Sequence, residues 1–218
     1  MSLNGKTLSQ QGLRAHARRQ IEGAVVMREE AAQMRLHLWL ERLKQLQMWV
    51  NLDTALEHAL DAVLSVGSAD CANIQLVHPR WRGLELKAQR GFGQPFLHFF
   101  EFVNDVNTAC GVALKEHRPV FVEDVASSPI FLHTRTLEVM LDAQIRAVRS
   151  TPLIDDIGRL LGVCSVHYFQ PRIDRQTDLS RFVALGKGIA QLISATRPAQ
   201  MRRLIRRRRE PAPGASVL

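Results

Sequence analysis

The chain has 218 residues, 46% of them hydrophobic and 23% charged, which leaves room for one ordinary domain with helical extensions and excludes wholesale disorder. Its net charge of +8 sits at the two ends: residues 1–49 hold 8 Lys/Arg against 4 Asp/Glu, residues 50–197 hold 15 against 16, and residues 198–218 hold 6 against 1. The balanced middle disfavours a nucleic-acid groove there, and no apolar run approaches the roughly 18 residues that a membrane-spanning helix needs.

In chain order, the first element is a helix from about Ser9 to Val50, free of proline and rich in helix formers. Its Leu36, Trp39, Leu43, Leu46 and Val50 repeat at alternating spacings of three and four, a short seam that needs a partner. A second helix follows, capped by Asn51, with Asp53 in its first turn, an apolar stripe of Leu52, Leu56, Leu60 and Val63, and Gly67 at its end. Cys71 to Val77 and Leu84 to Gln89 alternate like two strands of a hairpin with a longish loop. A Phe-rich stretch runs from Gln94 to Val103. A short helix is expected at Ala109 to Glu116, a strand at Pro119 to Val122, and another helix within Phe131 to Leu141. Two longer strands, about Ala147 to Ile154 and Leu160 to Phe169, are joined by the turn Asp155-Asp156-Ile157-Gly158. A last core helix spans about Asp174 to Thr196, after which Pro198 interrupts, Arg202 to Arg209 form a basic block, and residues 211–218 read as a frayed end. Neighbouring strands joined by short loops give an antiparallel α+β sheet, not βαβ units.

Catalytic signatures are missing. A phosphate-binding Walker loop, an H-E-x-x-H and a G-x-S-x-G do not occur, and Gly91-Phe92-Gly93 lacks the third glycine of a dinucleotide fingerprint. Cys164 and His167 lie three apart on a strand, hence on opposite faces, and so do not share a metal. Cys71, Cys110 and Cys164 are an odd, scattered set, as expected for reduced thiols in a cytoplasmic protein; Cys110 sits near a helix N-terminus, where a thiol can be acidified. The first 20 residues carry Lys6, Arg14, Arg18 and Arg19 without an apolar core, so no secretory leader is read there.

From about Leu52 to Ile193 the chain resembles the GAF domain family, in particular the modules of bacterial two-component sensor proteins. The resemblance rests on Ala72-Asn73-Ile74-Gln75-Leu76, Gln89-Arg90-Gly91-Phe92, Cys110-Gly111-Val112-Ala113-Leu114 and Val120 to Val125. Its densest stretch is Ile145 to Leu153, followed by Gly158 to Gly162 and Ser165-Val166-His167. It implies a central antiparallel sheet of five to six strands, terminal helices packed on one face, and short helices and loops roofing a small-molecule pocket on the other. It also implies a regulatory role without catalysis. The N-K-x-D of cyclic-nucleotide binders, a Cys-His pair for bilin and the paired cysteines of methionine-sulfoxide-reducing relatives are not present.

Alternation places Ala72, Ile74 and Leu76, Leu84, Leu86 and Ala88, and Cys164, Val166 and Tyr168 against the helices. The opposite, more polar face then floors the pocket, with Asn73, Gln75, Ser165 and His167 converging there, Ser150 beside them, and Arg146 and Arg149 at the rim to favour a carboxylate or phosphate. The expected organisation is a dimerising and signalling helix over 1–50, a GAF domain over 51–197 and a basic tail over 198–218. The expected function is a cytoplasmic sensory module that binds a small molecule, pairs as a homodimer through Leu36, Trp39, Leu43 and Leu46, and acts on an output protein carried by another chain. The alternative is a dimeric scaffold whose Arg-rich tail binds nucleic acid or another polyanion. No cofactor or ligand identity is legible.

Overall fold

The computed structural model describes residues 10–47, 51–173 and 176–209. Six strands form one antiparallel sheet: β1 (Cys71–Val77), β2 (Leu84–Arg90), β3 (Phe102–Val103), β4 (Val120–Val122), β5 (Ala147–Ile154) and β6 (Leu160–Tyr168), in the order β3-β2-β1-β6-β5-β4. Among the described residues six helices accompany them: α1 (Gln10–Leu46), α2 (Leu52–Gly67), α3 (Gln94–Phe99), α4 (Ala109–Glu116), α5 (Arg135–Asp142) and α6 (Gln176–Arg209). The Phe-rich stretch is α3 and β3.

Two apolar cores lie on the two faces of the sheet. One joins Leu56, Leu60 and Val63 of α2 and Leu185 and Ile189 of α6 to Ala72, Ile74, Cys164 and Val166. The other joins Phe96, Phe100, Phe131 and Met140 to Val148 and Val163. Asn51 caps α2 as its position demands, its Oδ1 accepting from Thr54 N–H at 2.9 Å. An Asn51→Ala variant should lose about 1 kcal/mol in denaturant unfolding with an unchanged m-value. The left-handed residue that closes α2 is Ser68, one past Gly67.

Three expectations change. First, β2 bulges where Ile74 pairs with Ala88 but Gln75 pairs with Leu86. The extra residue, Lys87, shifts the alternation by one, so Leu84 packs with Phe96 and Phe100 while Ala88 packs with the helices. A period-two pattern cannot reveal a bulge. Second, α6 does not stop at Pro198 but runs through it to Arg209; a proline removes one backbone donor from a helix without obliging the chain to leave it. The side chains of the Arg202–Arg209 block, and residues 210–218 altogether, lie outside the described residues.

Third, the seam of α1 already has its partner in the same chain. Leu36 and Leu43 are buried in the helical core, and Trp39 and Leu46 pack against it. The two long helices touch closely because residue 188 is glycine: a Cβ there would stand 2.8 Å from Leu40 Cδ2. Near the other end of the contact, Arg181 of α6 donates to Glu29 of α1 at 2.6 Å and also bonds Asp178. Pairing 29 with 181 and 40 with 188 means that α1 and α6 run parallel. The expectation that Leu36, Trp39, Leu43 and Leu46 face a second molecule is therefore corrected. A heptad seam on one helix fits a partner helix equally well from the same chain or another.

Candidate ligand cavity

The polar face of the sheet is roofed by α3, α4 and α5. Alternation sends Asn73 of β1, Ser150 of β5, and Ser165 and His167 of β6 to this side, and register brings them together: Asn73 pairs with Ser165, and Ser165 with Ser150. All four line one cavity. Its walls are Phe96, Phe100, Phe131 and Met140, with Thr108, Ala109 and Cys110 closing it from the start of α4. Sequence reading missed these wall residues, although the Phe-rich stretch was the signal for α3.

The aromatic side is built by a turn. Gly91 adopts φ +90°, and a Cβ at that position would approach Cys71 Sγ at 2.9 Å and Asp70 O at 3.1 Å. The turn lays Phe92 flat on Phe96, ring centroids 4.0 Å apart and planes 6° from parallel. Both rings meet His167 edge-on, at 5.0 and 5.6 Å. In this packing the cavity keeps about 10 Å³, room for a single water.

The polar atoms of the floor are unevenly satisfied. Ser150 and Ser165 share a hydrogen bond of 2.8 Å between their hydroxyls. Asn73 Oδ1 and His167 Nδ1 have no partner, although the two residues are only 3% and 4% exposed. Burial holds the His167 imidazole neutral, its pKa pushed down to about 3. Cys110 does sit at the start of α4, but burial outweighs the helix terminus and pushes its thiol up to about 11; Cys71 rises to about 11 and Cys164 to about 12 for the same dominant reason. None of the three is a thiolate near neutral pH.

The other expected site residues lie elsewhere. Gln75 faces the same side but does not line the cavity: its Nε2 donates to Phe100 O at 2.9 Å, while its Oε1 is buried without a partner. Arg146 does not reach the cavity: it donates to Asp124 at 2.8 Å, and that bond holds the Asp124 carboxyl below its ordinary range. Arg149 lies on the opposite face, its guanidinium 4.3 Å from the Phe121 ring and 5.3 Å from the Phe182 ring of α6. Its neighbours Val148 and Ser150 take the cavity side, and alternation assigns residue 149 to the helices. The expected charged rim is thus corrected. Among the described residues no cluster of His, Cys, Asp or Glu is arranged to hold a metal ion, and no helix is long and apolar enough to cross a membrane.

An antiparallel six-stranded sheet with long helices on one face and a roofed cavity on the other defines a small α+β domain with an internal site. The chain matches the GAF domain family over residues 50–194 and belongs to it. Its fold is shared with a domain of a two-component sensor histidine kinase protein from Sinorhizobium meliloti (21% identity, 71% of this chain and 98% of that one, TM-score 0.59). It is shared equally with the GAF domain of a phosphoenolpyruvate-protein phosphotransferase from Coxiella burnetii (17%, 77% and 98%, TM-score 0.62). The free methionine-R-sulfoxide reductase of Neisseria meningitidis also has it (19%, 75% and 91%, TM-score 0.62). Identities this low establish the fold alone. No curated protein matches the chain.

Proposed function

We propose that this GAF domain is a non-catalytic, cytoplasmic signalling module that holds a small molecule between the Asn73–His167 floor and the phenylalanine wall. One observation carries the reading: two buried polar atoms, Asn73 Oδ1 and His167 Nδ1, line a cavity and lack partners. Buried polar groups are ordinarily hydrogen-bonded, because leaving one unsatisfied is costly. A guest that bonds them recovers that cost. The three buried, protonated thiols support the absence of catalysis. We assign the cavity to a domain over 51–197, the long helix before it to signal transmission, and the output to a separate protein.

Native mass spectrometry of the protein as isolated from cells tests the reading. The folded protein should carry a small adduct that is lost on denaturation and absent from an Asn73→Leu variant, which keeps the side-chain volume and removes the unpaired amide oxygen. An adduct-free wild type, or equal retention by the variant, argues against it.

Pairing with a second copy uses a different face of α1. Met27, Ala31, Met34 and Leu38 are exposed and spaced four, three and four, on the side opposite the buried seam. Parallel pairing along this stripe places Glu30 of each copy opposite Arg35 of the other, whereas antiparallel pairing sets Arg28, Arg35 and Arg42 against their own kind. Charge thus selects a parallel homodimer. The alternative, a scaffold whose tail binds nucleic acid or another polyanion, draws its support from the six arginines of residues 198–218.

A further inference from the structure

Taken as the ligand site, on which the identity of any guest depends, the cavity restricts that guest by its chemistry. Its polar lining is neutral throughout: Asn73, Thr108, Ser150, Ser165 and His167, with the protonated thiol of Cys110. The two arginines nearest in sequence are used elsewhere, Arg146 on Asp124 and Arg149 against the Phe121 and Phe182 rings. A carboxylate entering this site would be a buried charge without a counter-charge. A guest with an N–H donor instead completes Asn73 Oδ1, and the Ser150–Ser165 pair, already satisfied, is not disturbed.

Shape narrows it further. Three phenylalanines and a methionine wall the space, a surface suited to a flat guest. With about 10 Å³ left open, anything larger than water enters only as a wall side chain withdraws, and Phe96 is the ring that stands against His167. Phe96 is carried by the six-residue α3, and the turn before α3 contains Gly91 and Gly93. The guest's ring then replaces Phe96 in its edge-on contact with His167.

We propose that this GAF cavity selects an uncharged, flat molecule bearing an N–H donor, held by Asn73 and His167 where the Phe96 ring now packs, and rejects the corresponding carboxylate.

Benzamide and benzoate have the same outline and differ in charge and donor, so they make the probe pair. Titrations of the full chain at pH 7.5, followed by NMR of the probes, should show benzamide binding at least tenfold tighter than benzoate. Asn73→Leu should remove most of that preference, and Arg146→Ala should leave it unchanged. Benzoate binding as tightly as benzamide overturns the proposal while leaving the cavity a ligand site, the more so if Arg146→Ala abolishes it. Binding of neither probe also overturns the proposal; the adduct measurement on the native protein then decides separately whether the cavity holds a ligand. The wild-type comparison needs no variant to fold.

Discussion

Stability should fall by about 2–3 kcal/mol between pH 7.5 and 4.5 on account of His167 alone, and a His167→Gln variant should lose that part of the slope. The unfolded imidazole titrates near its ordinary value of 6.5, whereas the buried one does so only near 3. Between those values the unfolded chain binds the extra proton, so unfolding gains about 1.4 kcal/mol per pH unit as the pH drops. The stability is intact above 6.5, erodes below it, and this contribution is spent near 3. Asp124 and Asp155, both held below their ordinary range by arginine hydrogen bonds among other contacts, add losses at still lower pH that the variant shares with the wild type. Urea unfolding of both proteins at pH 7.5, 6.0 and 4.5 reads the difference. Parallel curves for the two would mean that His167 is not the group responsible.

The second large effect separates the two faces of α1. Leu43→Ala should cost about 2–5 kcal/mol, the range for deleting a large side chain that cannot be refilled, because Leu43 is 0% exposed and packs beside Gly188. The double variant Met34→Glu/Leu38→Glu should leave the melting temperature nearly unchanged, since Leu38 is 60% exposed, yet convert a dimer to a monomer in sedimentation. If Leu43→Ala melts like the wild type, α1 is not part of the helical core. A double variant that still sediments as a dimer excludes the outer stripe as the contact.

Both predictions turn on residues whose surroundings were only partly legible in the sequence. The strand β1 alternates cleanly over Ala72 to Leu76, β5 and β6 are strand-length runs bounded by a turn at Asp155 to Gly158, and Asn51 and Thr108 have the side chains that cap helices; the corresponding elements were readable to within a residue or two. Placement of Asn73, Ser150, Ser165 and His167 on one side followed from the same period of two. Arg149 obeys that rule as well: alternation alone puts it opposite Ser150, whereas its charge suggests a place at the rim. The bulge at Lys87 was not readable, because an extra residue leaves no mark on composition. The phenylalanine wall depends on how a six-residue helix lands on a sheet, which only tertiary packing decides. For Leu36 and Leu43 the seam was real and its partner was not: a repeat specifies a complementary surface without saying whose it is.

The parallel course of α1 and α6 has a mechanical consequence. Past Glu29 toward its start, α1 extends beyond its contact with α6, and past Thr196 α6 extends beyond the end of α1, in the opposite direction. The domain therefore sits between two arms that leave it in opposite directions, and a displacement of one arm reaches the other first through the direct packing of α1 on α6. Each residue added to or removed from an arm turns everything beyond it by about 100°. The angular phase of the two attachments, and not merely their spacing, is thus written into the lengths of these helices.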